Sequence, residues 1–229
     1  MTTVEVDWGV AGAEHLATRC DVVVVCDVLS FSTSVSLAVT RGVVVYPHAW
    51  RDASAAERAE ALDAILAGPR GSGVSLSPPS LLELAAGTRL VLPSPNGAMC
   101  CLAAARGGAT VVAGCLRNAP AVAGWLGRNG DRIGVVAAGE HWHHGGLRPA
   151  YEDWVGAGSI VAELPGSCSL SPEAEAAALA ARSRRSLREV MSGVELIEQG
   201  FPDDVVTAEK YGADTAVPVL RNGAFSAGP

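Results

Sequence analysis

The chain has 229 residues, a formal net charge of −7 and a single lysine, Lys210, so it lacks the basic stripe that nucleic-acid binding requires. Hydrophobic residues make up 49% and charged residues 18%, which supplies a core, while Glu5 and Asp7 interrupt any signal-type segment. No apolar run approaches a membrane span, so the expectation is one soluble, cytoplasmic domain over residues 1–229, with no nucleic-acid or membrane partner and with self-association open.

Val22–Cys26 is a continuous apolar run, the mark of a strand buried on both faces. After the polar stretch Ser30–Ser34, Val35, Leu37, Ala38 and Val39 predict a helix ending at Gly42, and Val43–Tyr46 the next strand. Ala53–Ala67 predicts a helix, with Ala56, Ala59, Leu62, Ile65 and Leu66 at helical spacing. Val74–Leu76 reads as a short strand and Leu81–Ala86 as a short helix entered through Pro78-Pro79. Leu90–Leu92 then repeats the first phrase: strand, turn Pro93–Gly97, helix Ala98–Ala105, stop Arg106–Gly108 and strand Thr110–Ala113. Even the helix endings agree, Thr40-Arg41-Gly42 against Ala105-Arg106-Gly107, so an internal duplication is expected.

Ala119–Leu126 predicts a helix, Ile133–Ala137 a strand, Gly139–Arg148 an irregular turn-rich stretch and Glu152–Leu164 a helix. Ser171–Met191 reads as helical in one or two pieces behind the start signal Ser171-Pro172, and Ala216–Val219 as a last strand. This alternation predicts a three-layer α/β/α sandwich on a largely parallel or mixed sheet. None of the six cysteines forms a C-x-x-C pair, and they read as small buried hydrophobes.

Ligands of open α/β sheets bind at the carboxyl ends of strands. At one such end Asp27 precedes Ser32, Thr33 and Ser34, whose hydroxyls serve either as helix caps or as anion ligands. At a second, Asn96-Gly97 offers a side-chain amide and a closely approachable backbone. At a third, Glu140 is followed by His141, His143, His144, Arg148 and the pair Glu152-Asp153, which opens a helix and suits both its dipole and Mg²⁺. The histidines match no H-E-x-x-H spacing and read as solvated loop residues. There is no P-loop and no G-x-S-x-G elbow. Leu29 replaces the second aspartate of an aspartyl phosphatase motif, and Gly156-Ala157-Gly158 lacks the third glycine of a dinucleotide site, reading instead as a close helix contact.

In order and spacing the chain resembles the 2-phosphosulfolactate phosphatases. The resemblance rests on Asp27-Val28-Leu29, Gly68-Pro69-Arg70-Gly71, Ser94-Pro95-Asn96-Gly97, Leu116-Arg117-Asn118-Ala119, Ala138-Gly139-Glu140, Glu152-Asp153 with Gly156-Ala157-Gly158, and Val217-Pro218. It implies Mg²⁺-dependent hydrolysis of a phosphate monoester of a small acid, in that family 2-phosphosulfolactate on the route to coenzyme M. On this reading Asp27, Glu152 and Asp153 are catalytic and, with Glu140, hold Mg²⁺. Ser32, Thr33, Asn96 and the Gly97 amide cradle the phosphate, and Arg70, Arg117 and Arg148 receive the other anionic groups. Ser30 and Phe31 stand where the family usually has an arginine, and Pro69 where it often has a glutamate. Those departures keep a rival in view, a non-catalytic small-anion-binding protein that kept the fold. A weaker rival is a zinc hydrolase built on the three histidines.

Overall fold

The computed structural model describes residues 1–183 and 185–228. Its first elements are β1 (Thr3–Trp8), α1 (Gly9–Ala17), β2 (Val22–Cys26), α2 (Phe31–Thr40) and β3 (Val44–His48). Next come α3 (Ala53–Ala61), β4 (Ile65–Leu66), β5 (Arg89–Pro93), α4 (Gly97–Arg106), β6 (Thr110–Gly114), α5 (Ala119–Asn129) and β7 (Arg132–Ala137). A small hairpin, β8 (Glu140–His141) and β9 (Leu147–Arg148), leads into α6 (Tyr151–Ala162), β10 (Ser169–Leu170) and α7 (Pro172–Ser183). The last are α8 (Met191–Glu198), α9 (Pro202–Ala208), β11 (Pro218–Arg221) and β12 (Ala224–Ala227).

Ten strands form one sheet in the order β10-β1-β7-β2-β6-β11-β12-β3-β5-β4. The first five run parallel, as do β3, β5 and β4, and the β11–β12 hairpin joins the groups through antiparallel pairings on both sides. Alternate residues of β2 explain its continuous apolar run: Val23 and Val25 pack with α1, α2 and α4, whereas Val22, Val24 and Cys26 pack with α5, α6 and α7. The molecule is therefore the expected three-layer α/β/α sandwich on a mostly parallel, mixed sheet.

The repeated phrase is real and reciprocal. The unit β2–α2–β3 starts in the five-strand group and ends in the other, while β5–α4–β6 crosses back. Each helix has ten residues, followed by a glycine in the left-handed region, Gly42 at φ 81° and Gly108 at φ 90°. Gly42 thus corresponds to Gly108, one residue beyond the Gly107 that the sequence match suggests. The crossing brings the strand ends at Asp27 and Ser94 together.

Elsewhere the structure shortens or replaces predicted elements. The helix predicted over Ala53–Ala67 stops at Ala61; Asp63 takes φ 48°, and Ile65 and Leu66 pair with β5 as an edge strand. Two apolar neighbours fit helix and strand spacing equally, and the turn at Asp63 decides between them. Val74–Leu76 contributes one bridge, Gly68 to Ser75, and the Leu81–Ala86 helix is a 3-10 turn at Pro78–Leu81. The stretch Gly139–Arg148 contains β8 and β9, and the helical reading of Ser171–Met191 divides into α7 and the start of α8, with position 184 outside the described residues. The predicted strand at Ala216–Val219 begins two residues later, at Pro218. Its partner β12 follows an Asn222-Gly223 turn with both φ angles positive, a strong hairpin signal that the sequence reading passed over. β1 is a second readable element absent from the expectations, since Glu5 and Asp7 alternate with the buried Val4 and Val6 as in a half-buried strand.

Candidate active site

Asp27 stands at the tip of β2, 4% exposed, between the first turns of both repeated helices. Its Oδ1 accepts the amide of Phe31, the first residue of α2, at 3.1 Å, and its Oδ2 accepts that of Gly97, the first residue of α4, at 2.8 Å. Ser94 Oγ adds a longer contact to Oδ2 at 3.4 Å. The duplication thus aims two helix N-termini at one carboxylate, a favourable placement for negative charge. Gly97 is required by closeness: a Cβ there would lie 2.7 Å from Asp27 Oδ2 and 2.6 Å from the Phe31 ring.

Three further carboxylates surround it. Asp153, in the first turn of α6, accepts the Val28 amide at 2.7 Å and the Gly139 amide at 2.8 Å, tying the loops after β2 and β7. Glu152, beside it and 2% exposed, meets the Ser192 hydroxyl. Glu140, on β8, accepts Asn96 Nδ2 at 2.8 Å. Helix α6 comes this close to the end of β2 because Gly156 carries no side chain, a Cβ there falling 2.5 Å from Val28 Cγ2. On its other side a Cβ on Gly158 would strike Ala177 O of α7 at 1.9 Å, the close helix contact expected of Gly156-Ala157-Gly158.

Burial raises the carboxyl pKa of Asp27, with the amides of Phe31 and Gly97 opposing it. It also raises Glu152 and, well above the usual range, Asp153, to which the Asp27 charge adds. Glu140 is pushed up to about 7, first by burial and then by Asp27. Four carboxyls with pKa values raised by burial therefore share the strand ends, one of the arrangements found at functional sites.

Asp27, Ser94, Asn96 and Glu140 open onto a cleft of about 430 Å³ that Ser30, Arg70, Trp50 and Arg51 also line. A second cleft of about 410 Å³ lies against Glu152, bordered by Arg148, Trp142 and Ser192. The other predicted ligands are placed differently. Ser32 and Thr33 are fully buried, and their hydroxyls donate to Val25 O and Val28 O, each at 2.8 Å, so they lock the strand-to-helix turn from inside. Arg117 is away from both clefts, paired through Nε and Nη2 with Asp214, each at 2.7 Å. Arg148 pairs with Glu195 at 3.1 and 2.8 Å and lies over the Trp142 ring. His141 bonds Asn96 Oδ1 at 2.8 Å, and His144 stacks on Trp142.

Sequence reasoning missed Ser94 and the acidic partners Glu195, Asp204 and Asp214. No local pattern marks these acids; each is recognised only by the arginine it meets. Buried thiols such as Cys20, raised to about 11, behave as core residues.

Among the described residues no group of three or more His, Cys, Asp or Glu is arranged to enclose a metal ion. Mg²⁺ needs no such cage, since it is held by one or two carboxylates together with waters and substrate phosphate. Asp27 and Glu140, hard oxygen donors that line one cleft, fit that mode, whereas Glu152 lines the other cleft.

The chain resembles known phosphatases along most of its length. The family model for 2-phosphosulpholactate phosphatase matches residues 11–223. A 2-phosphosulfolactate phosphatase from Methanothermobacter thermautotrophicus is 32% identical over 208 residues, covering 87% of each chain. The chain belongs to the 2-phosphosulpholactate phosphatase family and is a phosphatase.

Proposed function

We propose that the chain hydrolyses the phosphate ester of 2-phosphosulfolactate, or of a closely related phosphorylated acid, with Mg²⁺ bound by Asp27 and Glu140 together with waters and the substrate phosphate. The observation that carries this reading is the buried carboxylate cluster beside the cleft that Arg70 lines. Mg²⁺, when bound, supplies positive charge to the phosphoryl oxygens and to the attacking water.

The chain's own groups do the rest. Asp27 is held rigidly by two backbone amides, and Asp153 fixes the two loops that carry Val28 and Gly139. Glu140 orients the attacking water, whose proton ends on the departing ester oxygen as the bond from that oxygen to phosphorus breaks. Asn96 holds Glu140 in place through Nδ2, and Arg70 receives an acidic substituent of the substrate.

The test is phosphate release from 2-phosphosulfolactate with Mg²⁺ and with EDTA. Release that stops with EDTA and returns with Mg²⁺ supports the reading. Release indifferent to EDTA removes the metal from it, and no release from folded protein removes the substrate.

A further inference from the structure

Arg70 is the one arginine of the cleft whose guanidinium is fixed by buried partners. Its Nε donates to Asp204 Oδ2 at 3.0 Å, its Nη2 donates to Ser30 Oγ, and its Cζ lies 6.0 Å from the centre of the Phe201 ring. Asp204, in α9, is 2% exposed, and its other oxygen accepts the hydroxyl of Ser77. Nη1 has no hydrogen bond among the described residues, and the arginine side chain keeps 22% of its surface exposed, at the cleft.

We propose that Asp204 is a positioning residue: from α9 it aims the free edge of Arg70 at the acidic, non-phosphate end of the substrate, and so sets the preference for phosphorylated acids over neutral phosphate esters. This rests on the phosphatase reading. Asp204 already balances the arginine's charge, so what Arg70 offers the cleft is a directed N–H edge suited to oxyanions. The phosphoryl group belongs beside Asp27 and Glu140. Because Ser30, Ser77 and the Phe201–Asp204 turn come from three separate segments, the edge is held from several sides with few rotamers open to it.

The experiment compares wild type, D204N, S77A, R70A and R70A/D204N, using 2-phosphosulfolactate and phenyl phosphate as substrates. D204N is expected to raise KM for 2-phosphosulfolactate about tenfold with kcat little changed, the pattern of lost uniform binding. KM for phenyl phosphate, which has no acid group, stays at the wild-type value, and D204N adds nothing in the R70A background. S77A gives the same pattern more weakly and serves if D204N does not fold.

Equal loss with both substrates, or a fall in kcat alone, would overturn the proposal. Calorimetric binding of sulfolactate, the dephosphorylated acid, separates the two readings. If wild type releases no phosphate but D204N still weakens sulfolactate binding about tenfold, the positioning role stands and the phosphatase reading falls. If sulfolactate binds D204N as it binds wild type, the positioning role falls.

Discussion

Two buried carboxylates lie beside α2 in opposite surroundings. Along the helix, Asp214 accepts Ser36 Oγ at 2.9 Å and two nitrogens of Arg117, whose Nη1 donates to Thr207 O. At its start, Asp27 is held by neutral backbone amides, and its neighbours Glu140, Glu152 and Asp153 are acids. The first is a closed ion pair with its hydrogen bonds spent inside the protein. The second is electrostatically incomplete and becomes favourable only when a proton or a cation arrives. Burial is alike at both places, so a hydrogen-bonded counter-charge, which Asp214 has and Asp27 lacks although it feels Arg70, is what separates a structural acid from a site acid.

Substitution at the incomplete end should cost most in rate. D27N is expected to lower kcat/KM by roughly 10³-fold, the scale for losing a preorganised charge at a reacting centre. Steady-state kinetics on folded protein checks this, and near-wild-type turnover would end the contrast.

Substitution at the closed end should instead cost stability. R117A leaves Asp214 buried without its cation, so unfolding free energy should fall by about 3–5 kcal/mol. Denaturant melts report the loss, with kcat of the folded fraction unaltered. A raised KM at wild-type stability would return Arg117 to the role of substrate ligand.

The pH dependence sharpens the comparison further. Glu140 has a folded pKa of about 7 against an ordinary value of 4.5, so below 4.5 both states are protonated and its burial carries no penalty. As pH rises to about 7 the unfolded state loses its proton first, and stability falls across that window. Thermal melts in EDTA should show this decline, and added Mg²⁺ should raise Tm more at pH 8 than at pH 5. A metal effect independent of pH would remove Glu140 from the cation's ligands.

The smallest effect is expected at the exposed pair. Glu195 is 46% exposed, so E195Q should change stability by only about 0–1 kcal/mol despite its two bonds to Arg148. A chemical melt measures it, and a loss on the Arg117 scale would show that exposure is the wrong criterion.

Much of the fold was legible locally. The apolar run of β2, the strand–turn–helix–strand repeat and the stop glycines announced both units, and the acids at strand tips announced where a site should form. What misled was local ambiguity: Ile65-Leu66 fits a helix or a strand, and Ser32-Thr33 fits a cap, a phosphate cradle or, as the structure has it, an internal lock. The Asn222-Gly223 hairpin was readable and overlooked.

The sequence by itself determined the alternating elements, the three layers and the carboxylates placed at strand ends, because hydrophobic period and turn chemistry act over a few neighbouring residues. Only the tertiary structure decided which arginine meets which acid. The deciding bonds join residues far apart, 125 positions between Val28 and Asp153, 134 between Arg70 and Asp204 and 97 between Arg117 and Asp214. No local pattern encodes such pairings, since they form only when the assembled sheet and its helices bring separate segments within hydrogen-bond reach.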